Sequence, residues 1–298
     1  MKSLSNRYVD LQNEIRFLKE DLFSCFVDRK KKLKRKEVKK RMRNKKLVLM
    51  VIFSLLIVLC TGSISLLAAE KKVYINGIDA DYPPYAYIDE KGNPVGFDVE
   101  CLNWIANEIG FEVKHQPTAW DGIVASLLAK KIDMVYSGMT INEERLKKVD
   151  FSIPYWVINQ ALCVREDSDL NIIAALCSDK YTVGTQRGCT AAEWIEENLI
   201  KTGILPKDNL KLYEGFSLAV KDLVNGRIDS AMMDDVMVED AIRKGQPVKI
   251  IGRIETREEY GVAVRKEDKE LKALLDEGIT KLRKSAKWDE LFIKYFSE

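Results

Sequence analysis

From Lys72 onward, short runs rich in apolar and β-branched residues alternate with stretches whose apolar residues recur every three or four positions. That alternation predicts an α/β fold with mainly parallel sheets flanked by helices. Residues 73–77 read as a strand leading into Asp79-Ala-Asp-Tyr-Pro-Pro-Tyr85, a loop stiffened by two prolines. Residues 91–94 read as a turn. Asp98 then stands where an N-cap belongs, before a helix with Val99, Leu102, Ile105, Ala106 and Ile109 on one face and Gly110 as its stop. Residues 111–115 alternate apolar and polar as a strand, which puts His115 on a strand surface. Trp120-Asp121 opens a second helix with Ile123, Val124, Leu127 and Leu128 inward.

One phrase occurs twice. Residues 125–135 and 220–231 both read as helix, tight turn, Ile-Asp and strand. Each is followed by a polar cluster, Tyr136-Ser-Gly-Met-Thr140 in the first case and Met232-Met-Asp-Asp235 in the second. Two lobes built on similar units have this pattern, and ligands of open α/β sheets sit at the carboxyl ends of strands, where both clusters fall. The expected site is therefore a cleft between lobes. Thr140-Ile-Asn-Glu143 and Thr190-Ala-Ala-Glu193 match the capping box and place two helix starts at that cleft. The second follows Val183-Gly-Thr-Gln-Arg-Gly-Cys189, a strand and glycine turn that would turn free amides toward an anion. Arg145, five residues past Thr140, is placed to grip a carboxylate.

Charge sharpens this picture. The 298 residues carry a formal net charge of +2, unevenly distributed. Residues 1–46 hold 17 Lys and Arg against 6 Asp and Glu, a net +11, whereas residues 70–298 hold 31 against 40, a net −9. An acidic folded part argues against nucleic acid as its partner. Between them, residues 47–69 carry no charge: an apolar run to Leu59 and then the smaller residues of 60–69. This is the layout of a secretory signal, and uncut it is long enough to span a bilayer, so a signal peptide and a retained anchor are both open. Either way residues 70–298 are exported, to the periplasm or tethered to the outer face of the cytoplasmic membrane. Residues 1–41 fit neither; translation is expected to begin at Met42, the alternative being a basic cytoplasmic tail.

Cys101, Cys163, Cys177 and Cys189 lie in the exported part, without metal-ligand spacing, and are expected to be free and mostly buried. A single histidine in the chain excludes a histidine-based triad or cluster. No metal or cofactor is expected.

In order along the chain, Asp79–Tyr85, Val95-Gly-Phe-Asp-Val-Glu100, Trp120-Asp-Gly-Ile123, Lys131-Ile-Asp133, Ser137-Gly-Met-Thr-Ile-Asn-Glu-Glu-Arg145, Val149-Asp-Phe-Ser-Ile-Pro-Tyr155 and Lys287-Trp-Asp-Glu-Leu-Phe-Ile-Lys-Tyr-Phe296 resemble the family 3 solute-binding proteins, the extracytoplasmic amino-acid receptors of ABC importers. The resemblance implies a two-lobed clamp, a periplasmic-binding-protein type II fold, with lobe 1 at 72–157 and 260–298 and lobe 2 at 158–259. It implies a monomer that binds a free amino acid and hands it to a membrane permease. Arg145 and Thr190 would hold the ligand carboxylate; Gly138, Thr140 and Asp234 the ammonium, with Ser137 alongside. Tyr82 and Trp120 would flank the side chain, with Asp79 and Gln186 near its tip, which favours a polar or basic ligand. Glu100, Asn142, Ile153 and Cys189 depart from the family's usual residues. An arogenate- or prephenate-type dehydratase on the same fold is the enzyme alternative, with Glu100 its candidate acid or base.

Overall fold

The computed structural model describes residues 71–297 and, in the N-terminal part, positions 29–32, 34–37, 39–42, 45, 49 and 50, all helical. The chain divides into two compact units, 1–70 and 71–298. The uncharged 47–69 stretch lies outside the described residues except for Leu49 and Met50, as do residues 1–28. Among the described residues no helix is long and apolar enough to cross a membrane.

The second unit contains strands β1 (Val73–Ile78), β2 (Asp81–Tyr82), β3 (Ala86–Ile88), β4 (Pro94–Val95), β5 (Glu112–Pro117), β6 (Met134–Val135), β7 (Asp150–Phe151), β8 (Trp156–Arg165), β9 (Val183–Gln186), β10 (Leu210–Tyr213), β11 (Ser230–Asp234), β12 (Val248–Tyr260) and β13 (Ala263–Val264). Its helices are α1 (Phe97–Ile109), α2 (Ile123–Leu128), α3 (Glu143–Lys148), α4 (Ile172–Leu176), α5 (Thr190–Ile195), α6 (Phe216–Val224), α7 (Asp235–Arg243), α8 (Lys269–Arg283) and α9 (Ala286–Phe296). Two five-stranded sheets have the orders β5-β1-β6-β13-β7 and β10-β9-β11-β8-β12. In each, three parallel strands are followed by one that runs against them and a fifth that runs with them again: β5, β1 and β6, then β13, then β7, and β10, β9 and β11, then β8, then β12.

The repeated phrase has a shared structural cause. Asp133 accepts the backbone N–H of Ile75 at 2.9 Å, and Asp229 accepts that of Thr182 at 2.8 Å. Each aspartate thus satisfies a backbone donor of a neighbouring strand, within β1 in one case and just before β9 in the other. The isoleucines before them, Ile132 and Ile228, lie against Gly77 and Gly184, where a Cβ would meet their Cδ1 atoms at 2.4 and 2.5 Å.

An aromatic cluster ties α9 to the start of β8. Phe296 stacks on Trp156 with ring centroids 4.5 Å apart and meets Phe97 edge-on at 5.0 Å. Such pairs contribute about 0.5–1.5 kcal/mol beyond the area they bury.

Three local expectations are corrected. Asp98 is not a cap: Gly96 holds that position, and Asp98 turns inward within the first turn of α1, completely buried. Neither capping box forms as expected. Asn142 caps α3 by accepting the Arg145 N–H at 2.8 Å, and the Cys189 thiol caps α5 by accepting the Ala192 N–H at 3.4 Å. In both cases the residue nearest the helix start faces its amides, and the threonine hydroxyls are engaged elsewhere. His115 is half-buried rather than lying on the surface, between Asn76 (3.2 Å from Nδ1) and Asn103 (3.0 Å from Nε2), and burial lowers its pKa from 6.5 to about 4. Cys101, Cys163 and Cys189 are free and buried; Cys177 is free and exposed.

Candidate functional site

The carboxyl ends of the parallel strands deliver most of the expected residues. Asp79 follows β1; Ser137, Gly138 and Thr140 follow β6; Gln186 ends β9, with Thr190 beyond it; and Asp234 ends β11. Tyr82 comes from β2, Trp120 from a short 3₁₀ turn before α2, and Arg145 from α3. Asp79, Tyr82, Ser137, Thr140, Arg145, Gln186 and Asp234 are all buried, which is rare for charged groups and requires partners.

Asp234 has them. One carboxylate oxygen accepts the hydroxyls of both Tyr82 and Tyr260, and the other accepts Gln160 Nε2 at 2.6 Å. The same Gln160 nitrogen stands 3.3 Å from Thr190 Oγ1 and donates to Glu258 Oε1 at 2.9 Å. Thr140 Oγ1 donates to Glu258 Oε2 at 3.0 Å. Burial, then the negative charge of Glu258, pushes the Asp234 carboxyl up to about 6 against the pull of its hydrogen bonds.

Arg145 lies in the helix capped by Asn142. Its guanidinium donates to the Thr140 carbonyl at 2.9 Å and the Gly188 carbonyl at 3.2 Å, and sits 5.5 Å from the Trp120 ring centre. Trp120 Nε1 donates to the same Gly188 oxygen at 3.1 Å. Asn142 also donates to Glu193 Oε2 at 2.9 Å. Burial raises the Glu193 carboxyl, and the nearby Arg145 charge opposes that rise.

At a third point Asp79 accepts Gln186 Nε2 at 2.7 Å and the Asp81 N–H at 3.0 Å, while its own N–H donates to Ser137 Oγ at 3.0 Å. Desolvation raises its carboxyl to about 6. The Tyr82 and Trp120 rings are nearly parallel, 11° between planes and 6.4 Å between centroids.

The turn through Gly138 is held from behind. Asp98 Oδ2 accepts the Gly138 N–H at 2.7 Å and the Tyr155 hydroxyl at 2.6 Å, and burial raises its carboxyl to about 7. Gly138 has φ +59°, and a Cβ there would stand 2.3 Å from Tyr82 Cε1, so only glycine fits.

The structure therefore brings the ten expected residues into connected clusters and adds Asp98, Asn142, Gln160, Glu258 and Tyr260. Gln160 carried a signal: a glutamine within the apolar run of β8 must find partners if buried. Glu100 belongs elsewhere. Its carboxylate accepts Lys294 Nζ and the Tyr295 hydroxyl, and against the opposing effect of burial these bonds hold it below the usual carboxylate range.

Two α/β units whose strand ends gather a buried arginine and a buried aspartate define a two-lobed binding protein. The family model of bacterial extracellular solute-binding proteins, family 3, matches residues 74–298, and the chain belongs to that family. It is 31% identical over 228 residues to the L-cystine-binding protein TcyJ of Escherichia coli (strain K12), covering 76% of this chain and 84% of that protein. It is 33% identical over 243 residues to an L-arginine-binding protein of Pseudomonas aeruginosa, with 79% and 92% covered. Among solved structures, the ancestral amino-acid-binding protein AncCDT-1, a precursor of cyclohexadienyl dehydratase, superposes with a TM-score of 0.69 at 32% identity, covering 75% of this chain and 95% of that one. The family is extracytoplasmic and serves amino-acid transport by ABC importers.

Proposed function

We propose that this chain binds a polar or basic L-amino acid between its two lobes and delivers it to an ABC permease, acting as a monomer outside the cytoplasmic membrane. Lobe 1 is assigned to 72–157 and 260–298 and lobe 2 to 158–259, in line with the division of strands between the two sheets. Residues 47–69 act as signal or anchor, with the basic residues that precede them, from the expected start at Met42, on the inner side.

The observation that carries this reading is the pairing of one buried cation, Arg145 after β6, with one buried anion, Asp234 ending β11 in the other sheet. A zwitterion needs both. Arg145, with Thr190, takes the α-carboxylate, exchanging its bonds to carbonyls for a charged partner. Asp234, with the Thr140 hydroxyl and the Gly138 carbonyl, takes the ammonium, and Ser137 orders the turn through Asp79. Tyr82 and Trp120 flank the ligand's stem, while Asp79 and Gln186 meet its tip and favour cationic or amide groups over acidic ones. Relatives that bind cystine and arginine agree with a polar ligand.

The dehydratase alternative draws on the AncCDT-1 likeness. Binding is favoured because Glu100 is engaged with Lys294 and Tyr295, and Glu193 and Glu258 by Asn142, Thr140 and Gln160. A thermal-shift and calorimetric screen of arginine, lysine, histidine, glutamine, cystine, glutamate and aspartate on residues 71–298, which form one compact unit, tests the proposal. A polar or basic amino acid should bind tightest. Glutamate as the tightest ligand, or aromatic product from prephenate or arogenate, would contradict it.

A further inference from the structure

Glu258 lies in none of the motifs that carry the family resemblance, yet it contacts Thr140 and Gln160. It reaches them through an irregularity in β12. The register runs from Ile254 opposite Gln160 to Glu258 opposite Ile158, so β12 advances four residues while β8 advances two. Arg257, at the end of this bulge, has φ +51°, and its N–H is held by Asn159 Oδ1 at 3.1 Å. Bulges re-aim side chains, and this one sits beside the ligand residues. Beyond it Tyr260 bridges Thr140, Ile141 N donates to the Glu259 carbonyl at 2.8 Å, and Gly261 N to that of Met139 at 3.0 Å. The backbone itself therefore fixes Glu258 next to Thr140.

We propose that Glu258 is a positioning residue of the ammonium subsite: it accepts the hydrogen bond that the Thr140 hydroxyl donates, and so leaves the Thr140 oxygen as an acceptor aimed at the ligand. This rests on the assignment of Thr140 and Asp234 to the ligand ammonium. A threonine hydroxyl has one proton and two lone pairs. A carboxylate can only accept, so the 3.0 Å contact to Glu258 Oε2 fixes where that proton goes. What remains on Thr140 can only accept, which suits an ammonium and rejects a carbonyl or carboxylate oxygen. The other carboxylate oxygen accepts Gln160 Nε2 at 2.9 Å, the nitrogen that also donates to Asp234 at 2.6 Å. Glu258 thereby also turns the amide's donor face toward Asp234. Two carboxylates share one amide donor, and an ammonium brought between them relieves their repulsion.

A glutamine at 258 can donate to Thr140 and reverse its polarity. The test is the ratio of dissociation constants for an amino acid and its des-amino analogue: arginine against 5-guanidinopentanoate, lysine against 6-aminohexanoate, and glutamine against glutaramate. Each is measured by calorimetry on wild type, Glu258→Gln, Thr140→Val and the double variant. Wild type should prefer the amine-bearing partner, and Glu258→Gln should shrink that preference roughly ten- to hundredfold, the worth of a hydrogen bond to a charged group. In the Thr140→Val background the same change should have much less effect. A purely structural role would weaken both ligands alike and leave the ratio unchanged. Glu258→Asp, which keeps the charge but is one methylene shorter, should give an intermediate ratio and carries the test if Glu258→Gln does not fold. An unchanged ratio in the variant, with wild type discriminating, overturns the role of Glu258 alone. A wild-type ratio near one, or no binding of any amino acid, overturns the ammonium assignment and this inference with it.

Discussion

Asp79 and Asp234 are proposed to meet different ends of the ligand but share one property: burial raises both carboxyls from an ordinary 3.8 to about 6. In the unliganded fold each holds a proton that the unfolded chain would release from about pH 4 upward. Their contribution to stability is therefore present at low pH and lost as pH rises toward 6. Ligand binding runs the other way, because an ammonium or a cationic tip pairs with the ionised carboxylate. Affinity for a neutral-tipped amino acid should fall about tenfold per unit as pH drops below roughly 6, and more steeply for a cationic one, which recruits Asp79 as well. Calorimetry at pH 5 and 7.5 checks this, and pH-independent binding would contradict it. Asp79→Asn should flatten the extra slope for cationic ligands and narrow their advantage over neutral ones.

Helix α3 has six residues, too few to be stable alone, and it carries Arg145. Its start depends on Asn142, which accepts the Arg145 N–H and reaches Glu193. Asn142→Ala should cost about 1 kcal/mol in denaturant unfolding and weaken ligand binding as well, whereas Asn142→Asp should keep the cap. Gly138→Ala should be more severe. It places a methyl against Tyr82 at a positive φ, and strain of this kind costs on the order of 1–3 kcal/mol. The strands and helices were legible from their periodicity, and the two Ile-Asp repeats announced two similar units. The caps were not, because Thr-x-x-Glu and Asn-x-x-Arg signals overlap within three residues and local sequence does not say which side chain faces the helix. The inward turn of Asp98 is hidden from the sequence for a related reason. Its partner is the N–H of Gly138, forty residues away, and only the packed fold brings that donor to it. Strand-end clusters, helix starts and Arg145 mark the cleft in the sequence itself, and the ordered motifs of the resemblance give each of the ten positions its role, whereas Gln160, Glu258 and Tyr260 lie on long strands with no motif of their own.

Across the molecule, contacts join residues assigned to the two lobes at several points: Tyr82 with Asp234, Asp79 with Gln186, Asp81 with Ser217 at 2.6 Å, Asn142 with Glu193, and Arg145 and Trp120 with Gly188. A ligand that engages Arg145 and Asp234 together favours the closed arrangement because it touches both lobes only there. Small-angle scattering should show compaction of wild type on adding the tightest ligand, and none for Asp234→Ala under the same conditions. The central claim, recognition of both charged ends of one amino acid, is tested most directly by calorimetric titration of that ligand into wild type, Arg145→Ala and Asp234→Ala. Losing one partner of a buried, hydrogen-bonded charge pair costs about 2–5 kcal/mol, so each variant should bind roughly 30- to 5000-fold more weakly. Binding by either variant within a few-fold of wild type would contradict the account.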